Sequence, residues 1–245
     1  MSSRITRSPI AAAVLLLAAC SADRTAPTAP DVSSGQPAQR SSVGGIAPPQ
    51  SKPHGKSYSE WAAEWWQWAL TVPVSSNPVL DLTGENCDVN QPDHVWFLAG
   101  AFNAGEPVTR ECTIPTGRAL FIPLINFAYF AFLDDPPETR TEEFIRAQVA
   151  CAEDATFSLV EIDGVSVRNP GRYFEESVVF EVVLQEDNIF GAPAGFTLSP
   201  SVDAGYYLFL TPLTPGEHTI HWQVTSGCGF SQDITYHLTV RPGRS

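Results

Sequence analysis

Positive charge is what this chain has little of. Its 245 residues carry 14 lysines and arginines against 27 aspartates and glutamates, for a formal net charge of -13. Nucleic-acid binding depends on cationic groups that displace counterions from phosphates, so this balance argues against that class of partner. It also disfavours lying flat on anionic lipid. The simplest role of the acidity is to keep the domain in solution. A Walker loop, a dinucleotide fingerprint and a Gly-x-Ser-x-Gly nucleophile turn are all absent. There is no Cys-x-x-Cys pair, and no histidine has ligand spacing to a cysteine, which argues against zinc. No metal or other cofactor is expected. The apolar run Ile10 to Ala19 is about ten residues long, too short to cross a bilayer of about 30 Å as a helix, and no second such run follows.

That short run nevertheless carries an address. Arg4 and Arg7 precede it and small residues close it, the three parts of an export signal. Leu17-Ala18-Ala19-Cys20 resembles a bacterial lipobox. The resemblance implies removal of residues 1–19, diacylglycerol on the Cys20 thiol and acylation of the new amino terminus. Several acyl chains together anchor stably where one binds only marginally. The expected location is therefore the cell envelope, with the membrane as partner through the Cys20 lipid. Ser21 in place of aspartate points to the outer membrane. The plainer alternative is an ordinary cleaved signal in which Cys20 is incidental. Loss of Arg4 and Arg7 takes the charge from -13 to -15.

Residues 20–56 are Ser, Pro, Ala, Gly and Gln with almost no large apolar side chain, too few to offset the entropy of ordering. They read as a tether, which leaves residues 57–245 as one domain. Four cysteines remain there: Cys87, Cys112, Cys151 and Cys228. An even number in an exported chain reads as two disulfides. Of three pairings, Cys87–Cys112 with Cys151–Cys228 is favoured, because the first two flank one loop-and-strand unit.

Ser57-Tyr58-Ser59-Glu60 has the form of a capping box, and the helix it opens runs to about Leu70, before Pro73. Tyr58, Trp61, Trp65 and Trp68 recur at three- and four-residue spacing and share a face, with Trp66 beside them. Such a stripe most often docks a helix on a sheet, and a sugar-stacking platform is the functional alternative. A second, amphipathic helix is expected from Thr141 to about Ala152. The rest reads as strand. Leu120-Phe121-Ile122 and Tyr206 to Leu210 lack polar alternation, as strands covered on both faces do. Asp163-Gly164 marks a tight hairpin, and Ile234, Tyr236, Leu238 and Val240 alternate with polar neighbours. These features predict a mostly β fold: a two-sheet β-sandwich of jelly-roll or Ig-like type with a Trp-rich N-terminal helix and one further helix.

Candidate chemistry is sparse. His54 falls in the tether, and His218 and His221, three apart on one strand, point to opposite faces. His94, next to Asp93 at a loop-to-strand junction, is the histidine best placed for function, with a structural role as the commoner alternative. Asp81, Glu85 and Asp88, or Asp134 with Asp135, have the chemistry of calcium ligands but not the spacing of a calcium loop, so solvated acidic turns are the better reading. Asn126, which ends the apolar strand, and Asn188 read first as turn caps. The residues taken forward as candidate ligand contacts are Trp65, Trp66, Asp81, His94 and Asn126.

Trp65-Trp66-Gln67-Trp68, Asn77-Pro78, Asp81-x-Thr83-Gly84-x-x-Cys87, Trp96 to Gly100, Cys112-Thr113-Ile114-Pro115-x-Gly117, Pro123-Leu124-Ile125-Asn126, Gly205-Tyr206-Tyr207 and Pro215 to Ile220 form a set. It resembles a group of uncharacterised exported bacterial and archaeal proteins and covers nearly all of the folded part. The resemblance implies no activity and carries over no catalytic residue. From the residues alone, the leading function is a non-catalytic, lipid-anchored envelope protein whose sandwich binds a ligand, a glycan or a partner protein. The alternative is a carbohydrate-active hydrolase or lyase with its site between the tryptophan helix and the sheet, using His94, Asp81 or Asn126. A purely structural envelope component is a third reading.

Overall fold

A computed structural model describes residues 45–102 and 106–243. The signal, Cys20 and the tether as far as residue 44 lie outside the described residues. Ser57 caps helix α1 (Tyr58–Thr71) with the expected reciprocal box: its side chain accepts from the Glu60 amide while the Glu60 carboxylate accepts from the Ser57 amide. Those bonds hold the Glu60 carboxyl below its ordinary value. Thr141 caps helix α2 (Glu142–Val149), which continues as a 3-10 turn to Glu153.

Ten strands form two sheets. They are β1 (Val95–Phe97), β2 (Val108–Pro115), β3 (Ala119–Phe132), β4 (Ala155–Ile162), β5 (Val165–Ser166), β6 (Phe174–Glu176), β7 (Phe180–Val183), β8 (Thr197–Leu210), β9 (Gly216–Ser226) and β10 (Ser231–Arg241). The first sheet runs β1-β3-β8-β6, with β7 also paired to β8; the second runs β2-β10-β9-β4-β5. Most pairs are antiparallel, but β1 lies parallel to β3 and β2 parallel to β10. Asp163 and Gly164 both take positive φ in the β4–β5 hairpin, as a two-residue primed turn requires.

The layering follows from side-chain alternation. In the second sheet one face is buried (Val108, Cys112, Ile220, Trp222, Ile234, Leu238) and the other is polar, with partly or fully exposed side chains. The first sheet is covered on both faces, which accounts for the unbroken apolar runs in β3 and β8. Phe121, Tyr207 and Phe209 face α1, where Tyr58 and Trp61 pack on them. Their neighbours Leu120, Ile122, Leu208 and Leu210 point the other way, into the inter-sheet core. Strands β3 and β8 are 14 residues each, against 11 for β9 and β10. At about 3.3 Å per residue they extend some 10 Å further. Helix α2 covers part of that extension, burying Ile145 and Val149 with Ala131, Val202 and Ala204.

The disulfides are Cys87–Cys112 and Cys151–Cys228, closing separations of 25 and 77 residues. On the chain-entropy model they contribute about 3.5 and 4.5 kcal/mol. One boundary differs from expectation. Residues 45–56 are not tether, because the end of β8 offers them a pairing edge. Ile46 bridges to Leu210, the Ala47 amide donates to the Phe209 carbonyl at 2.8 Å, and the Tyr58 hydroxyl donates to the Ala47 carbonyl at 2.7 Å. His54, read as tether, lies against Phe209 and His94.

Candidate functional site

A cavity of about 280 Å³ opens at the end of the sandwich where α1, β3, β10 and the segment after β1 meet. Helix α1 contributes Trp65 and Trp66. Neither can serve as a flat stacking platform, because they are 1% and 5% exposed and both indole N–H groups are used inside the fold. Trp65 Nε1 donates to the Leu98 carbonyl at 2.9 Å, and Trp66 Nε1 donates to Asp203 Oδ2 at 2.5 Å. Trp61 and Trp68 likewise donate to the Pro53 and Val89 carbonyls. The stripe is therefore a docking surface in which every indole N–H has an assigned acceptor.

The second wall is Gly100 to Phe102, fixed by a buried arginine. Arg110 on β2, 1% exposed, donates to the carbonyls of Asp81 (2.7 Å), Ala99 (2.5 Å) and Gly100 (3.0 Å) and to the Tyr236 hydroxyl (2.9 Å). Its guanidinium lies 5.4 Å from the centroid of the Tyr236 ring, and no carboxylate pairs with it among the described residues. Carbonyl dipoles take the place of a counter-ion. Gly100 lies against the Gln232 amide: a Cβ there would come 2.7 Å from Gln232 Oε1 and 2.8 Å from Nε2, so a side chain would displace that amide.

The third wall is the middle of β3. Asn126 pairs with Gly205 in register, and a Cβ on Gly205 would come 2.5 Å from the Ile125 carbonyl oxygen and 2.6 Å from the Asn126 Cβ, so the glycine admits the close approach of β3. Ala128 and Phe130 follow on the same face, and Phe190 packs edge-on against Phe130. Asn126 does not end its strand, which bulges after Pro123 and runs on to Phe132. Nor does it cap a turn. That role belongs to Asn188, whose amide donates to Gln185 and Ala192 carbonyls and accepts from Phe190 and Ala192 amides.

Behind Trp66 and Asn126 lies Asp203 on β8, with no exposed surface. Burial pushes its carboxyl up to about 7, against hydrogen bonds from Tyr207 and Trp66 and the nearby Asn126 amide, which favour the charged form. The Tyr207 hydroxyl donates to Oδ1, and burial with the adjacent Asp203 charge raises Tyr207 well above its ordinary value. The Ser177 hydroxyl accepts from the Asp203 amide at 2.8 Å. Asn126 Nδ2 lies beside this group but makes no hydrogen bond of ordinary geometry, and Gln232 Oε1 also has no partner among the described residues. Sequence reading passed over Asp203, Tyr207 and Gln232. The one signal for the first was a carboxylate inside the apolar stretch Val202 to Leu210.

Trp65, Trp66 and Asn126 thus meet at one cavity, while Asp81 and His94 lie elsewhere. Asp81 holds its own turn, accepting from the Thr83 amide, the Thr83 hydroxyl and the Asn86 amide, each at 2.8 Å. Partial burial would raise its carboxyl, but these bonds outweigh it and the group is lowered. His94 is exposed at the start of β1, its ring 6.3 Å from that of His54. The three groups offered for acid–base chemistry, His94, Asp81 and Asn126, do not converge. No group of three or more His, Cys, Asp or Glu side chains with metal-binding geometry occurs among the described residues. No family model, no curated protein and no solved structure matches the chain.

Proposed function

We propose that this is a lipid-anchored ligand-binding domain of the cell envelope that takes a small molecule in the cavity beside α1. The observation that carries it is the chemistry of the walls: among the described residues none of the lining side chains is ionisable, and most are aromatic or aliphatic. A concave, mostly apolar site with a few polar groups is the common form of a small-molecule pocket. Turnover of a glycan would need acid and base groups flanking the bond, and the lining residues offer none. The buried indoles favour a small ligand over a stacked glycan chain. The anchor rests on the Leu17 to Cys20 segment, and the two disulfides fit an oxidising compartment.

The test is native mass spectrometry and calorimetry on the purified full-length protein, beside an Ala128→Phe variant that fills the cavity. Small molecules are expected to bind the natural chain and not the variant. Ligands indifferent to Ala128→Phe, or hydrolysis of a polysaccharide, would overturn the reading. For the anchor, radiolabelled palmitate is expected to enter the protein and to be lost on Cys20→Ser; equal labelling of that variant would remove the lipid from Cys20.

A further inference from the structure

The same cavity carries information about what fills it, an inference that rests on the small-molecule reading above. Size comes first. An engineered cavity of about 150 Å³ accepts benzene. A space of about 280 Å³ therefore holds one ring with a short substituent, or two fused rings. Charge comes second. An ion moved from water into walls without an opposite charge loses its hydration uncompensated, so a carboxylate or ammonium ligand is disfavoured strongly.

Polarity comes third. Two carboxamides line this cavity among otherwise apolar side chains, Asn126 from the first sheet and Gln232 from the second. Gln232 is itself 7% exposed. Leaving a lining amide unmet carries a desolvation penalty that an aliphatic side chain of similar shape does not. Gly100 leaves the Gln232 amide its space. Each carboxamide offers one accepting and one donating end, and a terminal flip exchanges them. Their natural complement is another group that both accepts and donates while remaining neutral.

We infer that the cavity binds a neutral, ring-sized apolar molecule bearing a primary carboxamide or lactam, held through Asn126 and Gln232. A carboxylic acid has the same hydrogen-bonding pattern only while protonated, and at neutral pH it is not.

The experiment is isothermal titration of the full-length protein at pH 7 with four matched probes: benzamide, toluene, benzoate and benzylamine. Benzamide is expected to bind at least tenfold more tightly than the other three. Gln232→Met, which keeps the side-chain shape, and Asn126→Leu are each expected to weaken benzamide about five- to tenfold and leave toluene unchanged or tighter. The second variant carries the test if the first does not fold, as thermal melts will show. Toluene binding as tightly as benzamide, benzoate binding as tightly as benzamide, or benzamide affinity unmoved by both variants would overturn the amide assignment while leaving a small-molecule pocket in place. Failure of all four probes to bind at millimolar concentration would overturn the pocket reading itself.

Discussion

Both faces of the first sheet are buried, but not with the same chemistry. On one face Leu120, Ile122, Leu208 and Leu210 meet Trp222, Ile234 and Leu238 of the second sheet, in a core mostly of hydrocarbon and indole whose polar members, Arg110 and the Tyr236 hydroxyl, are tied to the Ala99 and Gly100 carbonyls. On the other, between sheet and α1, a carboxylate, two tyrosine hydroxyls and the indole N–H groups are threaded through equally tight packing. The first arrangement holds the sheets together by apolar burial, which any side chains of suitable volume supply. The second fixes orientation, because each polar group tolerates one partner geometry. The cavity lies where α1, β3, the start of β10 and the segment after β1 meet, next to the polar layer. Its shape therefore depends on the interface that is specified by hydrogen bonds.

The comparison breaks most visibly under truncation of the hydrocarbon side. Trp222 is fully buried and its Nε1 has no partner among the described residues, so its contribution is volume. Trp222→Ala is expected to cost about 5 kcal/mol, the upper end for a large aromatic in a sheet-to-sheet core. Trp222→Phe is expected to retain more than half of that. Urea denaturation at fixed pH measures both. Equal losses for the two variants would mean that the indole N–H, not its volume, matters here.

The helix side is expected to respond to pH instead. Asp203 titrates from an ordinary carboxyl value of 3.8 to about 7 in the fold. A raised carboxyl means that the native state holds the proton longer. Its contribution to stability is complete below about pH 4 and is lost as pH rises through about 7. At 1.36 kcal/mol per unit the loss is at most about 4 kcal/mol. Asp203→Asn keeps the Trp66 bond and lets the Tyr207 hydroxyl rotate to accept. Urea midpoints at steps from pH 4 to 7.5 are expected to fall less for this variant than for the natural chain. Trp222→Ala is expected to keep the natural slope. Parallel slopes for Asp203→Asn and the natural chain would place the titrating group elsewhere.

The apolar side was readable from the chain, and the polar side was not. Alternation in Ile234 to Val240, the unbroken run in Tyr206 to Leu210 and the cap at Ser57 each state a local rule, and the layers follow from them. The disulfide pairing was legible because Cys87 and Cys112 flank one loop-and-strand unit. The cavity joins Asn126, Gln232 and Gly100, which lie on three separate segments, and their proximity is set by how the two sheets and the segment after β1 pack beside α1. No local pattern encodes that. The tether boundary failed for a related reason: Ile46 orders only because Leu210, far along the chain, offers an edge. His94 and Asp81 drew attention through residue type at a loop junction, and both turned out to have local work, one beside His54 and one inside its own turn.

Two asparagines sharpen the comparison at its smallest scale, since both read from residue type and position as ordinary turn caps. Asn188 makes four hydrogen bonds that hold residues 185–192 in one turn, two donated and two accepted. Asn188→Ala leaves those four backbone groups to find other partners, and a loss of about 2 kcal/mol is expected. Asn126 makes no bond of ordinary geometry in the fold, so Asn126→Leu is expected to change stability by less than about 0.5 kcal/mol or to raise it, because a buried donor without a partner is removed. Thermal or urea unfolding of the two variants without ligand measures this directly. A large loss at Asn126 would show that its amide braces Asp203 and Tyr207 in the resting protein. Neutrality there leaves a ligand in the cavity as the reason for an amide at that position.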